Sequence, residues 1–335
     1  MMLDITQRML RNWADEVGIS DLSLVEQDVR VSYALREIVE NDLLGSLLCI
    51  KGGTAINKLY LKDTSRLSVD LDFNHLGDKY TVARQRPDVR KEIIKVLAKS
   101  DPAYQFVVTR RDWYQTAIQA VYKPLFGLPS TRLKIEISHV ERFPILNTKR
   151  RPFKLIDTGE SCKVRTYAID ELLSTKLRAL FSRARARDIY DMHQASRMRL
   201  NKRLVRKMFI YYLFRVGKVY NPKLEYNKLK ERLDKKQYVD DVTGYIRQGI
   251  RFPFDKAAMT LAKNLQFLNR LDEFDQNFLL LARKLKGEAI PKVRSNVVGK
   301  IKHPLDYLFQ DSAITEQARK ITVEDIVPWQ QRKKS

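Results

Sequence analysis

The sequence predicts an α+β protein, a mixed β-sheet flanked by helices and followed by a mostly helical C-terminal region. Three observations carry this. Short apolar or alternating runs at 47–50, 67–73, 104–110, 115–122 and 132–138 read as strands. Helical patterns, with apolar residues three and four apart, precede and separate them. Beyond Asp170 the strand signals fade while the helical ones continue. The chain has 335 residues, 44% of them hydrophobic and 10% aromatic, enough to bury such a core.

Taken in order, 5–17 and 24–44 are expected as helices. The run Leu47-Leu48-Cys49-Ile50 is a buried strand that ends at Lys51-Gly52-Gly53, and 54–62 has helical character. A strand at 67–73 and a helix near 89–98 lead into the three later strands. Asp170 is a candidate cap for a helix running to Arg183, with Leu172, Leu173, Leu177, Leu180 and Phe181 as its apolar face. Further helices are predicted at 200–216, 222–233, 256–269 and 273–285. The division expected is 1–165 and 166–335, with 149–159 as the linker.

Sixty-three Lys and Arg against 40 Asp and Glu leave a net charge of +23. Such an excess calls for a polyanionic partner, nucleic acid or an anionic surface. No run of about 18 apolar residues is present, so a membrane span is not expected. Cys49 and Cys162 cannot make a disulfide framework, and a reducing cytoplasm is the expected location. His75, His139, His193 and His303 lack zinc-ligand spacing.

The chemistry concentrates in IKGGTAINKLYLKDTSRLSVDLDF. Alternation along a strand puts Asp70 and Asp72 on one face, about 7 Å apart, with Val69, Leu71 and Phe73 on the other. Two carboxylates so placed suit a divalent cation. Gly52 and Gly53 let the backbone approach a phosphate closely, and the helix that follows adds its dipole. On the strand at 132–138, Lys134 and Glu136 share a face, Glu136 as a third acid and Lys134 as a charge for phosphate. Ser68 lies two residues before Asp70 on the carboxylate face. If the helix from 170 ran on, Lys176, Arg183 and Arg187 would share a face able to clamp triphosphate oxygens. From Met192 to Leu224 there are nine Lys and Arg and no acid, so Arg197, Arg199, Lys202, Arg203, Arg206 and Lys207 are candidate RNA-backbone contacts. Tyr211, Tyr212 and Phe214 read as core residues before base-stacking ones.

The blocks Lys51-Gly52-Gly53-Thr54-Ala55, Arg66-x-Ser68-x-Asp70-x-Asp72-Phe73, Lys134-x-Glu136-Ile137, Glu171-Leu172-x-x-x-Lys176-Leu177-x-Ala179 and Arg187-Asp188-x-Tyr190-Asp191 resemble the nucleotidyltransferase superfamily. Within it they resemble the AbiEii/AbiGii-type, MenT-like toxins. The resemblance implies a nucleotidyltransferase-like sheet domain and a helical domain that contributes Lys and Asp to the site. It implies transfer of a nucleoside monophosphate from an NTP, with CTP or UTP favoured, to the 3′ end of tRNA, and a cognate antitoxin. By position the resemblance implies that Asp70 and Asp72 hold Mg²⁺ or Mn²⁺, and the strand reading adds Glu136 as the third acid. Lys176 contacts the triphosphate, and Gly53, Thr54 and Ser68 line the nucleotide pocket. Asp191 matches the last essential acid, with Asp188 as the alternative. Either Glu136 or Asp70 accepts the hydroxyl proton. Two other readings stand beside this one: a protein or small-molecule acceptor, and an inactive nucleic-acid-binding module.

Overall fold

A computed structural model describes residues 3–61, 66–127, 129–155, 158–183, 185–222, 254–288 and 304–321, with 227, 231, 246 and 301. The chain forms two compact units. One comprises Met1–Arg142, Thr148–Tyr167 and Val239–Phe252; the other comprises Phe143–Asn147, Ala168–Tyr238 and Pro253–Ser335.

The first unit opens with α1 (Gln7–Val17), started by the Thr6 hydroxyl and ended at Gly18, whose φ of 65° closes the helix in the left-handed region. The helix expected over 24–44 is two helices, α2 (Leu22–Glu40) and α3 (Asp42–Leu47). Asn41 divides them: its backbone is extended and its side-chain oxygen accepts the Leu44 N–H at 3.0 Å. Such local bonding competes with the helix ladder. Strand β1 (Leu48–Lys51) runs into α4 (Gly52–Ala55), which continues as a π-helical turn, Ile56–Leu61. After β2 (Asp70–His75) comes α5 (Lys79–Ser100). This helix begins well before the expected 89, because Asp78 caps it and buried Val82 anchors the turn ahead of Pro87.

Strands β3 (Gln105–Arg111), β4 (Gln115–Tyr122) and β5 (Thr131–Ser138) follow, and then the region expected as a linker. It is instead a hairpin, β6 (Lys149–Lys154) and β7 (Ser161–Thr166). The seven-stranded sheet has the order β3-β4-β5-β2-β1-β7-β6. Strand β2 pairs parallel with β5 and antiparallel with β1, and β1 pairs parallel with β7. Pro152 fits because β6 is an edge strand, where a missing N–H costs no ladder bond.

At the ends of β2 and β5, His75 and His139 meet edge to face, ring centroids 5.6 Å apart. Burial holds His75 down to about 4 and His139 down to about 3; His75 and Arg86 press His139 the same way. Both are therefore neutral in the fold, whereas in the unfolded chain they take up protons as pH falls below about 6.5. Stability should decline from pH 6.5 to about 3, by several kcal/mol in total. Thermal unfolding across that range checks this, and His139→Gln should flatten the decline; an unchanged profile in that variant would rule the histidine out.

In the second unit, α6 (Ile169–Ser182) buries Leu172, Leu173, Leu177, Leu180 and Phe181 as expected. Asp170 is not its cap. It lies in the first turn, and its carboxylate accepts the Asn201 N–H at 2.9 Å. Glu171, fully buried, accepts the N–H groups of Ile145 and Leu146 at 2.8 Å each and the Tyr212 hydroxyl, which fastens the 143–147 segment to this unit. The helix does not run on to Arg187: it stops at Arg183, and α7 (Ala186–Ala195) starts afresh. Helix α8 (Lys202–Arg215) is buried from Leu204 onward, as befits the centre of a helical unit. Helices α9 (Phe254–Asn264), α10 (Glu273–Lys286) and α11 (Pro304–Phe309) follow, with 3-10 turns at Leu265–Asn269 and Glu316–Lys320. Most of the helix expected over 222–233 lies outside the described residues.

Candidate active site

Register alone assembles the acidic face. In the parallel β2–β5 pair, Asp70 stands beside Lys134 and Asp72 beside Glu136; on the other flank Lys51 of β1 stands beside Asp72. Directly paired residues share a face, so these five side chains project together. Leu71, Phe73, Ile135, Ile137 and Ile50 are buried in the opposite direction. The burial on one side fixes the register, because a slip of one residue would turn the carboxylates into the core.

Local bonds then hold this face. The Thr54 hydroxyl donates to the Asp70 carbonyl at 2.7 Å and ties α4 to β2. Asn57 donates to the Gly53 carbonyl at 2.8 Å. The Glu136 carboxylate accepts from Gln115 Nε2 at 2.7 Å, and the Lys51 ammonium lies 3.2 Å from Glu141. Gly52 has φ 77° and sits against Asp72: an added Cβ would overlap the carboxylate and come 3.2 Å from the Asp72 Cβ. Only glycine satisfies both the conformation and the approach.

Two residues of α2 that no motif singles out position the entry to β2. Gln27 donates to the carbonyls of Val69 (3.2 Å) and Arg132 (3.1 Å), joining β2 to β5 at its start. Buried Asp28 accepts the Ser68 N–H at 2.7 Å and pairs with Lys58 at 2.8 Å. A polar pair inside an amphipathic helix has no local signal; its partners lie 30 to 105 residues away. Ser68 is buried, and its hydroxyl meets no hydrogen-bond partner among the described residues.

This donor set fits a divalent cation of the Mg²⁺ type. Among the described residues no three His, Cys, Asp or Glu side chains form a closed cage. Mg²⁺ needs none: it is commonly held by one or two carboxylates with the remaining positions filled by water and substrate phosphate. Asp70 and Asp72, beside backbone that a side chain at 52 would obstruct, are carboxylates of the kind such a partial shell needs.

The second unit brings three of the other predicted residues together. Lys176 of α6 lies 2.9 Å from Asp188 and 2.6 Å from Asp191, all three nearly or fully buried. The two acids are three apart on α7 and so face Lys176 together. Asp188 does more: it accepts the Arg185 N–H at 3.3 Å, capping α7, and pairs with Arg183 at 2.9 Å. Burial would raise its pKa, but Lys176 and Arg183 bring it down to about 2. The break leaves Lys176 on α6 and Arg187 on α7, not on the one continuous helix expected.

The basic candidates divide. Arg197, Arg199, Lys202 and Arg203 are exposed. Arg206 and Lys207 are corrections: both are buried. Arg206 is held by Asp275 at 2.6 Å and Asp272 at 2.9 Å, and Lys207 lies over the Tyr307 ring, with burial lowering its pKa. Tyr211, Tyr212 and Phe214 are core residues.

The family profile of the nucleotidyl transferase AbiEii toxins of type IV toxin–antitoxin systems matches residues 33–275. The chain belongs to this family. An AbiEii protein is a nucleotidyltransferase toxin, with an NTP as substrate and a cognate antitoxin implied by the two-component system. No curated protein sequence matches the chain. Among solved structures, MenT4, a nucleotidyltransferase toxin from Mycobacterium tuberculosis H37Rv, is similar in fold at TM-score 0.63 and 18% identity. The match covers 85% of this chain and 100% of that one. JHP933 from Helicobacter pylori aligns at TM-score 0.44 and 15% identity, over 80% and 95% of the two chains. Among the described residues of this AbiEii chain, no helix is long and apolar enough to cross a membrane.

Proposed function

We propose that this AbiEii toxin transfers a nucleoside monophosphate, from CTP or UTP, to the 3′ end of tRNA. The observation that carries the reading is the carboxylate pair Asp70 and Asp72, held on one sheet face against the open backbone of Gly52. Mg²⁺ or Mn²⁺, when bound by Asp70 and Asp72 with Glu136 beside them, supplies charge neutralisation at the triphosphate. The chain's own residues do the rest. Gly52, Gly53, Thr54 and the unsatisfied Ser68 hydroxyl line the nucleotide's place, and Lys134 adds positive charge. The terminal 3′-hydroxyl oxygen bonds to the α-phosphorus, the bond from that phosphorus to the bridging oxygen breaks, and pyrophosphate leaves. Asp70 or Glu136 takes the hydroxyl proton. Lys176, Asp191, Asp188 and Arg187 are proposed as further residues on which transfer depends. Arg197, Arg199, Lys202 and Arg203 are proposed contacts to the RNA backbone, a role their exposure allows.

The test is incubation of the purified protein with total tRNA, Mg²⁺ and each α-labelled NTP in turn, with Asp70→Ala as the control. Label on tRNA from CTP or UTP that disappears with Asp70→Ala is the expected result. Label on protein, or none with any NTP despite tRNA binding, would overturn the acceptor assignment.

A further inference from the structure

The β6–β7 hairpin carries a patch that the transfer chemistry does not use. One face of it is packed: Phe153, Val164 and Thr166 are buried, and Arg151 lies over the Tyr60 ring. The other face carries Arg150, Pro152 and Lys154 from β6 opposite Arg165, Lys163 and Ser161 from β7. Arg150, Lys154 and Lys163 are exposed and Arg165 is half-buried, donating to the Ser46 carbonyl at 2.7 Å. Arg150 and Arg165 stand directly across from each other, an arrangement of like charges that weakens a strand pair. Among the described residues no acid is paired with any of the four. The hairpin's described acid, Glu160, is engaged by Arg36 at 2.7 Å.

Cations and proline on an edge strand also serve to block edge-to-edge aggregation. That explanation covers β6, the edge strand; β7 pairs with β6 along its length and with β1 at Thr166. Edge protection does not require the cations on β7, and the cross-strand repulsion of Arg150 and Arg165 is one that a bound anion would offset. Along the strand, Arg150 and Lys154 are about 13 Å apart, and the rows of the two strands are about 4.8 Å apart. The result is a small lattice of cations without apolar anchors, which suits a phosphate backbone and offers nothing to read bases.

We propose that the exposed face of the β6–β7 hairpin binds the phosphate backbone of the RNA acceptor. This rests on the tRNA reading above and adds a surface to it. The variant Arg150→Gln/Lys154→Gln/Lys163→Gln leaves half-buried Arg165 in place and touches no residue of the proposed transfer machinery. All three positions are exposed, and its thermal midpoint should match that of the parent.

The experiment measures tRNA affinity of both proteins, without NTP, from 50 to 200 mM salt. Each lost phosphate contact removes about 0.7 (single strand) to 0.9 (duplex) from the slope of log affinity against log salt. Three lost contacts should reduce the variant's affinity ratio between the two salt concentrations by roughly 20- to 40-fold relative to wild type. Wild type that binds tRNA and a folded variant with the same slope would overturn the hairpin proposal and leave the tRNA reading standing. Wild type that fails to bind tRNA at 50 mM salt would overturn both. Vesicles of phosphatidylserine and phosphatidylcholine form the second arm; hairpin-dependent binding to vesicles but not to tRNA would assign the patch to a membrane surface instead.

Discussion

Asp70→Asn should reduce nucleotide transfer by roughly 10²- to 10⁴-fold with the thermal midpoint nearly unchanged. A metal that neutralises phosphoryl charge supplies several kcal/mol of transition-state stabilisation, and each 1.36 kcal/mol is tenfold in rate. Asparagine keeps the shape and one acceptor oxygen but loses the charge. Asp70 is half-buried on the open sheet face, and the bond that ties it to α4 uses its backbone carbonyl, which the substitution leaves alone. Asp72→Asn should behave alike. Gly52→Ala should reach the same end by another route, since its new methyl group displaces the Asp72 carboxylate and its φ is strained. Initial-rate assays with thermal unfolding as the folding control decide it. A folded Asp70→Asn protein with full activity would remove these carboxylates from the reaction.

Lys176→Met should destabilise the second unit by about 3–5 kcal/mol, the cost of removing one partner from a buried ion-pair cluster. Asp188 keeps Arg183, but Asp191, fully buried, loses the ammonium 2.6 Å away. For a unit of this size that corresponds to a fall in midpoint on the order of 10 °C. The excess buried charge is the cause, so Asp191→Asn in the Lys176→Met background should recover part of the loss. Urea unfolding of the four proteins of this cycle measures the coupling. A Lys176→Met protein as stable as the parent, or one made worse by Asp191→Asn, would show that the cluster is solvated.

Where structure depends on neighbours in the sequence, the residues were readable. Strand β4 has the expected limits, the alternation through Asp70 and Asp72 put both carboxylates on one face, and α6 buries the five apolar residues its spacing selects. Long-range partners decided what was missed. The β6 segment, KRRPFK, has the composition of a linker because an edge strand needs few apolar residues. Arg206 looks like part of an exposed basic run until Asp275, 69 residues away, appears beside it. Asp188 looked like a continuation of a charged helix, and its bond to the Arg185 N–H makes it a start signal. On the acidic face, the types and spacing of Asp70, Asp72, Lys134 and Glu136 were legible. The supports from Gln27 and Asp28 were not, because a helix that looks amphipathic conceals which of its polar residues point inward.

The place of β1 in the sheet also sets a timetable. Its parallel neighbour β7 is joined to it through the Ile50–Thr166 pair, more than a hundred residues downstream. At a synthesis rate of about 5–20 residues per second, roughly 10 s separate the emergence of these two strands from the ribosome. During that interval the nascent chain has its DxD strand but only one side of the sheet that flanks it, and β1 presents an unpaired edge. Pairings of this sequence separation form slowly, since chain entropy is lost before contacts repay it. A toxin built this way completes its sheet only after Thr166 has left the ribosome.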